Sequence, residues 1–332
     1  MFSATKCLTL ILCLSCCCVA QQGSPNQSCK LDPILVSVTD LHGSPVNNLD
    51  KRNFELRVDK KIIAVKAVTY RVQPIRIVIL LDVSGSMGGS PGHHEKWEVA
   101  RAALQEALQI PAPQVPIALI AFSNSVGRTF GFGESRSAMQ SWVNTIDPTR
   151  PSGIHGKTSL RDAILAAEQL LEPHQEGDSI YAITDGGEND SRTKAKDVQA
   201  VLLRNHVRLY TFLLDERLTG DEDRAGKQVF ADLVANTGGF LFGQAAHDAY
   251  SWLNEPQYSF TDKVRGHIAG QTAMLIAQAA AFYRLKPMST EMLRDDSNLS
   301  VNVIGENGKK RSDLLVRYPT KFFCCGSRSS SP

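Results

Sequence analysis

Residues 75 to 82, "IRIVILLD", run almost without interruption through apolar side chains and stop on an aspartate. A strand with one wet face alternates apolar and polar residues, whereas one covered on both faces reads as a continuous apolar run. "PIALIAF" (116–122), "SIYAITD" (179–185) and "VRLYTFLL" (207–214) repeat the pattern, and "RTFGF" (128–132) and "FLFG" (240–243) read as short strands. Between them lie amphipathic patterns of helical period at 95–108, 134–146, 159–171, 194–205 and around 225–236. Strands alternating with helices require right-handed crossovers, so the expected fold class is α/β, a doubly wound, mostly parallel sheet. Such sheets bind ligands at the carboxyl ends of their strands, where the strand order reverses.

The flanks follow another rule. Residues 31–73 alternate apolar and polar around the turn-forming "LHGSPVNN", which predicts an N-terminal β segment. An Ala-rich helical stretch within 251–281 leads from the α/β domain (74–250) to a second β segment at 282–323, and "GSRSSSP" marks 324–332 as a solvated tail. Neither flank has enough strands for a stable sheet, so the two are expected to pair as a small β domain built from both ends of the chain.

The first twenty residues read as an export signal: Lys6, an apolar stretch from Cys7 to Val19, and Ala20 at a small-residue cleavage site. "LSCCC" (14–18) also resembles a lipobox, so cleavage after Ala20 stands beside lipid attachment at Cys16 or Cys17. The expected location is secreted, periplasmic or at the cell envelope, with no transmembrane helix. Five of the eight cysteines fall in this segment; Cys29, Cys324 and Cys325 remain, and Cys29 either bonds one of the other two or all three are free. A formal net charge of +2 offers no broad basic surface, which argues against a nucleic-acid partner.

The chemistry concentrates at strand ends. "DVSGS" follows the first apolar run and places Asp82, Ser84 and Ser86 on a tight turn, with Gly85 letting the chain bend closely. "GIHGKTSL" puts Thr158 in a Gly-rich loop before a helix, and "AITDGGEND" puts Asp185 at the end of another core strand. Hydroxyls and carboxylates are the oxygen ligands that hard divalent cations prefer.

In these five positions the chain resembles the von Willebrand factor type A family, whose metal-ion-dependent adhesion site reads Asp-x-Ser-x-Ser, then Thr, then Asp, and the resemblance covers about residues 74–250. It implies Mg²⁺ or Mn²⁺ held directly by Ser84 and Ser86, with Thr158 joining in the ligand-bound form and Asp82 and Asp185 acting largely through water. A cation held mainly by neutral hydroxyls keeps uncancelled positive charge and an open coordination position, which an exposed Asp or Glu of a protein partner can fill. The flanks, with "VSVTDLHGSPVNNLDKRNFELRVD", "YRL" and "RYP", look like bacterial von Willebrand factor type A-related proteins common in acidobacterial genomes.

His93 and His94 read as a solvated loop, since imidazole suits Mg²⁺ poorly. Glu188 is a candidate for the rim of the site, and Asp190 for a cap on the following helix. "GKTS" (156–159) has a phosphate-loop ending, but the first glycine of that pattern falls on Pro151. A hydrolase built on Ser84 lacks the Gly-x-Ser-x-Gly elbow, His155 being the nearest base. The expectation is a non-enzymatic adhesion or assembly module, with a structural subunit of an envelope assembly as the alternative and a metal-assisted hydrolase behind it.

Overall fold

The computed structural model describes residues 28–72, 75–88, 95–110, 115–148, 153–214, 221–242, 262–288, 292–294 and 296–324. The export signal with Cys16 and Cys17, the pair His93 and His94, Cys325 and the tail lie outside the described residues. In chain order the strands β1 to β5 are Ser28–Lys30, Ile34–Asp40, Phe54–Val58, Lys61–Ile63 and Val65–Val72. There follow β6 (Ile77–Asp82), α1 (Glu95–Gln109), β7 (Ile117–Phe122), β8 (Val126–Phe130), α2 (Arg136–Val143) and α3 (Leu160–Leu170). The α/β part continues with β9 (Ser179–Thr184), α4 (Ala195–Arg204), β10 (Arg208–Leu213), α5 (Asp221–Asn236) and β11 (Leu241–Phe242). Helix α6 (Asp262–Ala280) passes without a loop into β12 (Ala281–Pro287), followed by β13 (Met292–Arg294), β14 (Ser297–Val303), β15 (Leu314–Arg317) and β16 (Lys321–Phe322).

The central sheet has the order β11-β10-β9-β6-β7-β8, parallel throughout except for the edge strand β8. Its apolar runs are explained by the two cores they divide. Ile77, Ile79 and Leu81 point with Tyr181, Ile183 and Phe212 toward the face covered by α1, α2 and α6. Val78 and Leu80, with Ile180, Ala182 and Leu209, point to the face covered by α3, α4 and α5. β6 lies at the centre, and the chain leaves it first toward β7 and later returns on its other side to β9. The strand order therefore reverses at β6, whose carboxyl end carries Asp82.

The flanking segments form two four-stranded antiparallel sheets, β15-β2-β12-β5 and β16-β14-β3-β4, each mixing strands from both ends of the chain. Val36, Val38, Tyr283 and Leu285 of the first meet Leu56, Val58, Val301 and Val303 of the second in one shared core. Cys29 is disulfide-bonded to Cys324, which is buried rather than part of a solvated tail. The helical pattern read through "AAAFY" stops at Ala280, because Phe282, Tyr283 and Leu285 are taken into β12 as buried residues.

This β-sandwich docks at the amino ends of the central strands. Arg208, at the start of β10 and only 2% exposed, donates to the Ala279 carbonyl (2.6 Å) and to Ser37 Oγ (3.3 Å) and lies 4.9 Å from the centre of the Phe282 ring. Arg317 stacks 4.4 Å from the centre of the Phe240 ring and reaches Thr39 Oγ1 (3.4 Å). Six-residue strands separate this seam from the carboxyl ends by about 20 Å.

Candidate metal centre

Asp82 closes β6 with its carboxylate fully buried. Its Oδ1 accepts from the Ser84 N–H at 2.9 Å and its Oδ2 from Thr184 Oγ1 at 2.6 Å, so two short bonds fix its plane. The chain then turns through a single 3-10 turn, Gly85–Met87, pinned into the core by the buried Met87 side chain. Ser84 Oγ and Ser86 Oγ stand 3.2 Å apart, the first buried and the second on the exposed rim.

The Thr158 loop is stitched directly to this turn. Gly85 N–H donates to the Gly156 carbonyl (3.0 Å) and His155 N–H to the Val83 carbonyl (3.0 Å). A β-carbon at Gly85 would come within 3.2 Å of the Gly156 oxygen, and Gly156 itself has φ +84°, so both glycines serve the close approach. Thr158, 3% exposed, is held from behind: its N–H donates to Asn189 Oδ1 (2.9 Å), and its carbonyl accepts from the N–H groups of Asn189 and Asp190.

Asp185 follows β9 and is 4% exposed. Its Oδ1 accepts from Gly187 N–H at 3.1 Å, and its Oδ2 from Lys96 Nζ at 3.0 Å. The same ammonium donates to the Ser86 carbonyl at 3.2 Å. A β-carbon on Gly187 would stand 3.2 Å from Asp185 Oδ1 and 3.6 Å from Thr158 Oγ1, so those two oxygens face one small gap.

The electrostatics separate the two acids. Burial, and then the Asp185 charge, push the Asp82 carboxyl up to about 7 against the opposing pull of its hydrogen bonds from Ser84 and Thr184. Burial acts on Asp185 in the same direction, but the Lys96 ammonium, the Ser86 hydroxyl and the Gly187 N–H outweigh it and hold that carboxyl below its usual range.

All five residues from the sequence reading thus stand at one edge of the sheet. Glu188 does not join them: its carboxylate accepts from the Arg161 N–H (2.9 Å) and Ser191 Oγ (2.7 Å), capping α3. Asp190 does not cap α4, whose N-cap is Lys194, and pairs instead with Lys157 at 3.4 Å. Lys96 and Thr184 were missed. A lysine in the first turn of an amphipathic helix looks like a solvated one, and a threonine inside an apolar strand looks like core.

A family model, that of the von Willebrand factor type A domain, matches residues 77–188. Residues 77–188 are a von Willebrand factor type A domain. No curated protein matches the chain. Among solved structures it is similar to an aerotolerance-related membrane protein from Bacteroides fragilis, at 15% identity, covering 60% of this chain and 98% of that one with a TM-score of 0.40. It is also similar to proximal thread matrix protein 1 from the mussel byssus, at 12% identity, 68% and 51% coverage and a TM-score of 0.45. A third similarity is to the PilB minor pilin from Streptococcus sanguinis, at 12% identity, 62% coverage of each chain and a TM-score of 0.39.

The donor set of this type A domain suits a hard divalent cation. Every side chain offered is an oxygen ligand, and the mutually repelling charges of Asp82 and Asp185 are a load that a cation relieves. Among the described residues no three His, Cys, Asp or Glu side chains gather into a group that could hold a metal ion.

Proposed function

We propose that this chain is an exported, divalent-cation-dependent protein-binding module that takes an exposed Asp or Glu of a partner through Mg²⁺ or Mn²⁺. The observation that carries the reading is the convergence of two buried carboxylates with three hydroxyls at the switch point of the sheet, one hydroxyl on the exposed rim. Ser84, Ser86 and Thr158 would hold the ion through neutral oxygens, and Asp82 and Asp185 would supply compensating charge. The cation, when bound, offers a partner's carboxylate a positively charged coordination position.

The role proposed is binding rather than catalysis. The Ser84 hydroxyl is engaged by Ser86 Oγ and the Asp82 carboxylate, and no imidazole hydrogen-bonds it among the described residues. Among the described residues, no helix is long and apolar enough to cross a membrane. The test is retention of Mn²⁺-loaded protein on an immobilised peptide that presents one exposed Glu. Retention should vanish on adding EDTA or on replacing that Glu by Gln; retention indifferent to both contradicts the reading.

A further inference from the structure

The charges at the metal centre sum in a way that singles out one residue. Asp82 and Asp185 together carry two negative charges when ionised, which a divalent cation would cancel. A neutral site has little to attract an anionic partner, since a carboxylate leaving water must recover its hydration from charge or from hydrogen bonds. Lys96 is the further charge. Its ammonium lies 3.0 Å from Asp185 Oδ2 and 3.2 Å from the carbonyl of Ser86, with the side chain 13% exposed. It is therefore held among the candidate ligands by the first turn of α1, instead of waving in solvent.

We infer that Lys96 is a specificity-determining residue of this site: its ammonium adds positive charge beside the bound ion, which selects an anionic partner group at the expense of metal affinity. The inference deepens the proposed function and rests on it. Two opposed consequences follow from one ammonium. Against the entering cation, Lys96 competes for Asp185 and repels a like charge at short range, so metal binds more weakly than to the two acids alone. Toward an arriving carboxylate the lysine adds attraction to that of the ion, so the anion binds more tightly than to the same centre without it. A lysine that merely packed α1 against the turn would move neither affinity in this paired way.

The probes are Mn²⁺ and acetate. Mn²⁺ is titrated by electron paramagnetic resonance, and acetate is then titrated into the Mn²⁺-saturated protein at constant ionic strength, read from water-proton relaxation as bound water is displaced. The variants are Lys96→Met, which keeps most of the length of the side chain without its charge, and Lys96→Arg, which keeps the charge. Lys96→Met should bind Mn²⁺ on the order of tenfold more tightly and acetate on the order of tenfold more weakly, with Lys96→Arg restoring acetate binding. Tighter Mn²⁺ binding by Lys96→Met itself certifies that the variant is folded. Acetate affinity unchanged in Lys96→Met, or Mn²⁺ affinity lowered in a variant whose thermal unfolding remains cooperative, overturns the inference. A wild-type protein that binds no Mn²⁺ overturns the metal reading beneath it, an outcome distinct from both.

Discussion

The two ends of the central sheet bury charges of opposite sign and treat them differently. At the amino ends, the buried Arg208 and the half-buried Arg317 lie among carbonyls, hydroxyls and aromatic rings: Ala279 O and Ser37 Oγ for one, whose Nε finds no partner among the described residues, Thr39 Oγ1 and the Phe240 ring for the other. At the carboxyl ends, Asp82 and Asp185 sit close enough to raise one another's cost, with Lys96 the cation bonded to Asp185 and the rim open at Ser86. A buried charge closed in by neutral donors or acceptors cements two domains. A buried pair of like charges beside hydroxyl oxygens is the arrangement that the proposed function reads as a cation site.

The comparison can be strained from either end, beginning where the expected effect is greatest. The Cys29–Cys324 bridge spans 295 residues and closes the sandwich on which the arginine seam rests. Cys29→Ser should therefore cost on the order of 4 kcal/mol in urea unfolding, without altering the affinity for Mn²⁺. At the seam, Arg208→Ala removes two hydrogen bonds and the ring contacts of a buried side chain and should cost about 3 kcal/mol. Arg208→Met, which fills the space without the charge, should cost much less. Equal losses in the two variants would mean that the guanidinium bonds matter more than packing.

The acidic end should answer to pH instead. With its folded pKa raised, Asp82 keeps its proton in the folded chain between the ordinary value of 3.8 and about 7, so its contribution to stability grows as pH falls through that window. Asp185 is shifted the other way: its contribution is present above the unfolded value and is lost only as pH falls through its lower folded one. In EDTA the stability difference between wild type and Asp82→Asn should therefore shift in favour of wild type from pH 7 to pH 5, by roughly 2 kcal/mol. Saturating Mg²⁺ should abolish that shift, which is checked by thermal melts at the two pH values. The smallest effect is assigned to Glu188. Glu188→Gln should weaken the cap on α3 by about 1 kcal/mol and leave metal affinity unchanged, whereas a loss of metal affinity would return Glu188 to the site.

The two ends were also unequally readable in the sequence. The acidic end was legible because strand ends and Gly-rich turns are local: "ILLDVSGS" and "AITDGG" announce both the sheet and the polar residues at its edge. What those residues touch was not local. Lys96 reaches Asp185 across 89 positions, and Thr184 reaches Asp82 across 102. Arg208 was hidden for a related reason, since "VRLYTFLL" reads as one more buried strand and nothing in it says that its arginine faces Ser37, 171 positions away. The flanking segments could be expected to pair, because neither had enough strands alone, but the division into two mixed sheets depends on register that the alternation does not contain.

The most direct measurement is calorimetric titration of Mg²⁺ and Mn²⁺ into the purified protein, wild type beside Asp82→Ala. Saturable one-site binding of either cation by the wild type, lost in an Asp82→Ala variant that still unfolds cooperatively, is the result expected of a charge pair awaiting its counter-ion. Absence of binding in the wild type, or equal binding by the variant, would contradict it and leave the acidic end of the sheet as structural as the arginine seam.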